Sequence, residues 1–329
     1  MNNFKKIGLT ALAASLVSVS AHAGEMSVAG GASINVEGFS GEELDAGKAY
    51  TMGNQLTFSG GGELDNGLSV SLSFVIDQGD GTSPFDSHSV TISSDALGSI
   101  KFMGEGGSTT ANAIDGSAAG DIWDKFDGGS RNAMALGSYG QATGDSNTAT
   151  AGDNAFIYTS PELMEGLTAS LSYAPQASSA ETRASGTGIG LNYTGVEGLT
   201  LAYAKADIVN STKALSGDQT VMEASYAYGP VTVSYSKWES DVDTANMDME
   251  LSSVAVSYTV SDELSVTYGM EEADYEGSST DAEYESISLS YVTGGMTISA
   301  GMHEAENANF GTASNQDIEK WTLGASFAF

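Results

Sequence analysis

The feature that most constrains the fold is a strict alternation of apolar and mostly small polar residues, which repeats along the chain after its first 25 residues. The cleanest stretch is 68–77, where Leu68, Val70, Leu72, Phe74 and Ile76 occupy every second position. A period of two places successive side chains on opposite faces of a β-strand. The sequence therefore predicts an all-β protein built from two-faced strands.

The connections between the alternating segments are of two kinds, short and long. We count 16 segments, and the short connections carry turn signals such as Asp65-Asn66-Gly67 and Gly229-Pro230. In outer-membrane barrels, short turns face the periplasm and long loops face outside. Eight long and seven short connections fit a chain that begins and ends on one side of a membrane. The long connections are polar and acidic, and lie around 38–49, 77–86, 104–153, 174–187, 205–219, 238–249, 271–283 and 303–317.

The composition of the two strand faces distinguishes a membrane barrel from a soluble β-sandwich, which also alternates. The polar face is mostly Ser, Thr and Gly, which suit a crowded or water-filled interior. Tyrosines at strand ends on the apolar face are typical of the aromatic girdles at membrane interfaces. Sixteen strands enclose an aqueous channel, so we predict a 16-stranded antiparallel transmembrane β-barrel. Ten of the 14 tyrosines share the apolar register: Tyr158, Tyr173, Tyr193, Tyr203, Tyr226, Tyr228, Tyr235, Tyr258, Tyr268 and Tyr291.

The third long connection, about 104–153, is the one stretch in which the alternation disappears. Connections longer than about 15 residues without structure of their own are uncommon and are usually functional or disordered. We predict that this loop folds into the barrel and narrows it. Within it, 121–127 is amphipathic enough for a helical turn, in which Trp123 and Phe126 pin the loop to the wall. The alternatives are that these residues form an exposed, solvated surface loop or that they pair locally, as Asp127 with Arg131.

The charged residues of the loop, together with one wall lysine, form the predicted constriction. Carboxylates in a pore favour cations, and a narrow channel with low-dielectric walls focuses their field. We therefore predict a preference for cations. The candidate constriction residues are Asp115, Asp121, Asp124, Lys125, Asp127, Arg131 and Lys101.

The first 23 residues have the pattern of a secretory signal peptide. Lys5 and Lys6 precede an apolar run, and the motif Ala21-His22-Ala23 follows it as a cleavage site. The alternative, a transmembrane anchor, is disfavoured because the run from Ile7 to Val19 is too short to span about 30 Å of hydrocarbon. We predict a leader over 1–23 and a barrel over 24–329.

Charge and residue usage exclude several classes of function. The net charge of −32 argues against binding nucleic acid, whose phosphates need Lys and Arg. The chain has no Cys, which removes disulfides and thiol chemistry. Beyond the leader only His88 and His303 occur, without a catalytic motif, so we predict no enzyme and no cofactor. Acidic groups in the outer loops, among them Glu271, Glu272 and Asp274, are oxygen ligands of the kind Ca²⁺ takes, but a solvated acidic rim is the alternative.

Two segments resemble the general porins of Gram-negative proteobacteria, and the Gly-rich, acidic style resembles the alphaproteobacterial type. The first is 153–161, which reads Asp-Asn-Ala-Phe-Ile-Tyr-Thr-Ser-Pro and is similar to the stretch after the porin constriction loop; the second is the terminal alternation from Trp321 to Phe329. The resemblance implies a homotrimer in the cell outer membrane, in contact with lipid and lipopolysaccharide. It also implies passive diffusion of ions and small hydrophilic solutes, and recognition of Phe329 by the barrel-insertion machinery.

The chain departs from this family in the basic residues of the barrel wall. Many members set an arginine cluster opposite an acidic loop, but here the strands before the loop contain no Arg. Among the basic residues of the strands, only Lys101 and Lys320 lie on the register predicted to face the lumen. The alternatives to a general diffusion channel are a substrate-selective channel and a structural or adhesive surface barrel.

Overall fold

Sixteen strands make one closed sheet in this protein. The computed structural model describes residues 26–40, 48–77, 85–105, 109–126, 154–175, 185–209, 216–310 and 317–329. Each strand pairs with the next, and the first pairs with the last, so that the sheet closes into an antiparallel barrel. The predicted fold class is thus confirmed. The strands are Met26–Ser40 (β1), Lys48–Glu63 (β2), Ser69–Asp77 (β3), Phe85–Ser94 (β4), Gly98–Glu105 (β5), Ala155–Thr159 (β6), Leu167–Ala174 (β7), Ser185–Val196 (β8), Leu199–Val209 (β9), Gly217–Tyr228 (β10), Val231–Val242 (β11), Met249–Thr259 (β12), Leu264–Tyr275 (β13), Ala282–Thr293 (β14), Met296–Glu306 (β15) and Ile318–Ala328 (β16).

The apolar register of the strands points away from the barrel axis. In β12, Val254, Val256 and Tyr258 are 42–50 % exposed, whereas Ser253, on the opposite register, is buried. Closure satisfies the backbone groups of every strand, which lipid cannot solvate. Apolar side chains therefore face lipid and small polar ones face the interior. The tyrosines of the predicted girdles, such as Tyr203 and Tyr291, are on this outer face.

The short turns behave as their sequences predict. Gly98, the first residue of β5 after the turn from β4, has φ of +77°, a conformation that residues with a side chain rarely adopt. A Cβ atom there would also overlap the carbonyl oxygen of Thr159, so this glycine serves both the turn and the neighbouring strand. Among the described residues, no helix is long and apolar enough to cross a bilayer. The helices Trp123–Phe126 and Ala308–Phe310 are single 3-10 turns.

Several strands run further than the sequence predicted, which corrects the boundaries of the long connections. β11 continues to Val242 and β13 to Tyr275, through positions that we assigned to loops. The reason is a reversal of polarity within one register. Beyond the lipid-facing belt, carboxylates such as Glu272 point outward, while apolar side chains such as Leu251 point inward and are buried. A search for outward apolar residues therefore ends these strands too early.

The predicted leader over 1–23 lies outside the described residues, and so does most of the third long connection. The division into a leader and a barrel over 24–329 stays a prediction. The connection is described over 109–126, and we call these residues the inner segment.

Candidate functional site

The inner segment begins against small side chains of β7, β8 and β9. The backbone N–H of Thr110 donates to Oγ of Ser172, at 2.9 Å. Gly188 faces the same place, and a Cβ atom there would overlap Oγ1 of Thr110. Ala111 packs against Ala204 and Ala206, and all three are buried. Small residues on this part of the inner face let the backbone of the segment lie directly against the wall.

Two serines hold the middle of the segment. Oγ of Ser236 in β11 donates to the carbonyl of Gly116 at 2.8 Å and accepts from the N–H of Ala118 at 2.7 Å. Oγ of Ser253 in β12 accepts from the N–H of Ala119 at 2.8 Å. These bonds satisfy backbone groups that have no partner within the segment, as buried backbone groups require.

Glu271 in β13 is a charged residue of the seat of the inner segment, a name we give to the inward residues of β7–β13 that contact residues 109–126. Its carboxylate accepts from the hydroxyl of Ser117 and, at 3.0 Å, from the N–H of Trp123. The side chain is buried, with 3 % of its surface exposed. The sequence predicts Glu271 in an outer loop. That position is wrong because β13 extends through residue 271 and turns its odd-numbered residues inward.

The helical turn Trp123–Phe126 is anchored by apolar contacts. Trp123 and Phe126 are buried in one cluster with Trp238 and Leu251 of the wall, and the Phe126 ring lies 5.9 Å from the Tyr284 ring. The predicted helical turn and its two aromatic anchors are thus present. The apolar partners on the wall could not be read from the sequence, since they occupy the register that is polar nearer the membrane centre.

The predicted constriction residues differ in exposure. Asp115 and, in β5, Lys101 are exposed; Asp124 and Lys125 are half-buried; Asp121 is buried. Lys101 occupies the register opposite to Ile100 and Phe102, as predicted. Asp127 and Arg131 lie outside the described residues. The structure thus separates the buried Asp121 from the exposed Asp115, although both were predicted to line the pore in the same way.

Burial changes the protonation of two groups in the segment. Desolvation, with a smaller contribution from nearby carboxylates, raises the pKa of Asp121 to about 8. Desolvation lowers the pKa of Lys125 to about 8, against the attraction of Glu271 and Asp121. The Lys125 ammonium donates to the carbonyl of Gly120 at 3.0 Å. Both groups therefore change charge near the upper end of the physiological pH range.

Glu223 is a further inward-facing acid, which the sequence reading missed. It lies in β10 between Val221 and Ser225, on the register opposite to the exposed Met222, and interacts electrostatically with Asp115. The signal that could have identified it was available, because the alternation of β10 assigns Glu223 to the inner face. We overlooked it because it stands alone among neutral residues.

Comparisons with known proteins agree with this architecture. A family model for Gram-negative porins matches residues 8–329. OmpF of Salmonella typhi is similar in structure, with a TM-score of 0.68, 13 % identity, and coverage of 92 % of this chain and 97 % of that one. A trimer form of OmpT of Vibrio cholerae has a TM-score of 0.64 at 13 % identity and covers 94 % and 100 %.

A mutant of the Rh. blastica porin is a third similar structure. Its TM-score is 0.62 at 15 % identity, and the match covers 93 % of this chain and 100 % of that one. A comparison with curated protein sequences finds no significant match. At these identities the solved structures establish the fold, while the family model establishes membership. The chain belongs to the Gram-negative porin family and is a β-barrel of the cell outer membrane.

Proposed function

We propose that this porin is a general diffusion channel for ions and small hydrophilic solutes, narrowed by the inner segment and selective for cations. The observation that carries the proposal is the sequence of bonds from Thr110 to Trp123. These bonds join the inner segment to the inward register of β7, β11, β12 and β13 in turn. A segment bonded to that register over so many strands occupies part of the cross-section of the barrel.

The preference for cations is supported by the acids on inward positions. Asp115 is exposed on the inner segment and interacts electrostatically with Glu223 of the wall, which is half-buried. Lys320 is engaged with Glu37 at 2.8 Å, which neutralises one inward base. Because the field of a few carboxylates is focused in a narrow pore, these two acids attract cations. The family and the fold support a channel and not an enzyme.

The proposed assembly is a homotrimer surrounded by outer-membrane lipid and lipopolysaccharide. It is supported by the trimer form of the V. cholerae neighbour. Ca²⁺ binding at the outer acids stays a prediction. In the described part of the chain, no group of three or more His, Cys, Asp or Glu side chains is placed to hold a metal ion.

The experiment is a reversal-potential measurement in a planar bilayer under a salt gradient. We expect a cation-selective reversal potential for the native protein, reduced in the double variant Asp115→Asn/Glu223→Gln. The matched control is Glu272→Gln, which removes an outward carboxylate and should leave selectivity unchanged. Anion preference in the native protein would overturn the selectivity; absence of any conductance would favour a structural or adhesive barrel, and saturable uptake of one solute a substrate-selective channel.

A further inference from the structure

Lys320 of β16 contacts three residues in two other parts of the fold, β1 and the inner segment. Its ammonium lies 2.8 Å from the carboxylate of Glu37 in β1 and donates to the carbonyl oxygen of Lys125 in the inner segment. It also lies 4.8 Å from the centre of the Phe39 ring, in β1. We propose that Lys320 is a positioning residue that couples the seat of the inner segment to the closure of the barrel between its first and last strands.

The place where Lys320 lies is the seam of the barrel. β1 and β16 are the two ends of the sheet, and the barrel is closed only when they pair. Phe39 and Lys320 are direct partners across this seam, and Glu37 lies two residues earlier on the same face of β1. The ion pair therefore joins the seam from inside.

The outer face of the seam is held by different means. Trp321 lies against Gly38, where a Cβ atom would approach the indole nitrogen to 2.4 Å, and Phe329 lies against Gly30 in the same way. Aromatic rings over edge glycines are a known way of stabilising paired strands. The charged contacts of Lys320 with Glu37 and Phe39 thus act inside, and the rings of Trp321 and Phe329 act outside, at one pair of strands.

The burial of Lys320 makes its three contacts interdependent. Its side chain is 7 % exposed, whereas that of Glu37 is 28 % exposed. A buried ammonium needs partners for its three donors, because an unpaired buried charge is costly. If the inner segment leaves, Lys320 loses an acceptor; if the seam opens, it loses Glu37. Loss of either contact therefore makes loss of the other easier. The position of the inner segment thus depends on the closed barrel and not on one strand.

The inference rests on the proposed channel function, and two readouts test it. One is the temperature at which the folded barrel is lost in detergent, which reports the seam. The other is the current noise of single channels, which reports movement of the inner segment. We expect Lys320→Met to lower the temperature and to increase the noise together. We expect Glu37→Gln to do both more weakly, and the double variant to add little to Lys320→Met, since the two groups act as one pair.

The matched control is the ion pair between Lys205 and Asp218, which also joins neighbouring strands at 2.8 Å. It lies on the outward register of β9 and β10 and is exposed, so Lys205→Met should change neither readout. Lys320→Arg keeps the charge and should retain both native readouts. This variant and Glu37→Gln carry the test if Lys320→Met does not fold.

Three results would overturn the coupling. Lower thermal stability with native noise would make Lys320 a seam residue only. Higher noise with native stability would make it a contact of the inner segment only. Equal effects of Lys205→Met and Lys320→Met would mean that the Lys320–Glu37 pair acts like any ion pair between neighbouring strands. A native protein that forms no channels would overturn the proposed function instead, while the thermal comparison would still report the seam.

Discussion

The two halves of the barrel wall present different inner faces. Along β7–β13, the small inward residues near the inner segment are fully covered: Ala204 and Ser236 have 0 % exposure and Ser253 has 1 %. Along β3–β5, small inward residues are more open, since Ser71 is exposed and Thr91, its partner on β4, is half-buried. Small and hydroxylated inward residues are therefore covered on β7–β13 and more accessible on β3–β5.

The difference between these two sets of strands comes from the contacts of the inner segment and not from the types of residue on the strands. The Ser236 hydroxyl on β11 bonds to the backbone of the inner segment, whereas the Ser71 side chain on β3 is exposed. We call the inward residues of β3–β5 the wetted wall, to distinguish them from the seat of the inner segment on β7–β13.

Removing the inner segment should have the largest effect on this comparison. We expect deletion of residues 115–126 to raise single-channel conductance roughly twofold or more, because β10–β14 would then also border open water. Single-channel recording measures the step size. A deletion variant that folds and keeps native conductance would contradict the proposed seat.

Loss of the carboxylate at 271 should have the next largest effect. Glu271→Ala leaves the N–H of Trp123 and the hydroxyl of Ser117 without their acceptor, at a cost of about 1–3 kcal/mol for buried groups. We expect lower thermal stability and more frequent transitions between conductance levels. The neighbouring Glu272→Ala is the control, since that side chain points outward and is exposed. Similar behaviour of the two variants would remove the special role of Glu271.

Added bulk should separate the two halves directly. Ala204→Leu overpacks the seat beside Ala111, and overpacking costs about 1–3 kcal/mol. Ser71→Leu adds a similar bulk to the wetted wall, where it should lower conductance slightly with little loss of stability. Melting in detergent and single-channel recording compare them. Equal destabilisation would mean that the two faces are packed alike.

A change of pH should have the smallest effect. Because the pKa values of Asp121 and Lys125 both lie at about 8, raising the pH deprotonates both and makes the inner segment more negative. Between about pH 6 and about pH 10, cation selectivity should rise modestly, by less than about twofold. Reversal potentials at both pH values measure this effect.

The same pH change has opposite consequences for the two groups' contributions to stability. Asp121, whose pKa is raised on folding, favours the seated state at low pH and loses that contribution as the pH rises towards about 8. Lys125, whose pKa is lowered, gains stability only above about 8. Asp121→Asn should therefore reduce the pH dependence of selectivity. A selectivity that falls with pH in the native protein would contradict the direction.

The barrel could be predicted from the sequence because its signal is local. Leu68 to Ile76 reveal a two-faced strand by themselves, and repetition of the pattern gave the strand count, the outward apolar face and the order of pairing. The residues of the seat were not predictable in this way. The alternation of β13 could place Glu271 and Glu272 on opposite faces, but only if the strand was known to continue beyond the apolar belt.

The sequence by itself determined that this chain closes into a sixteen-stranded barrel, since a period of two and closure leave few alternatives in lipid. Only the tertiary structure decided which acids are exposed inside, which are buried and which point outward. Asp115 and Asp121 look alike in the sequence, and yet burial separates them. The bond from Ser117 to Glu271 joins residues 154 positions apart, so its existence depends on the closed barrel and not on either neighbourhood.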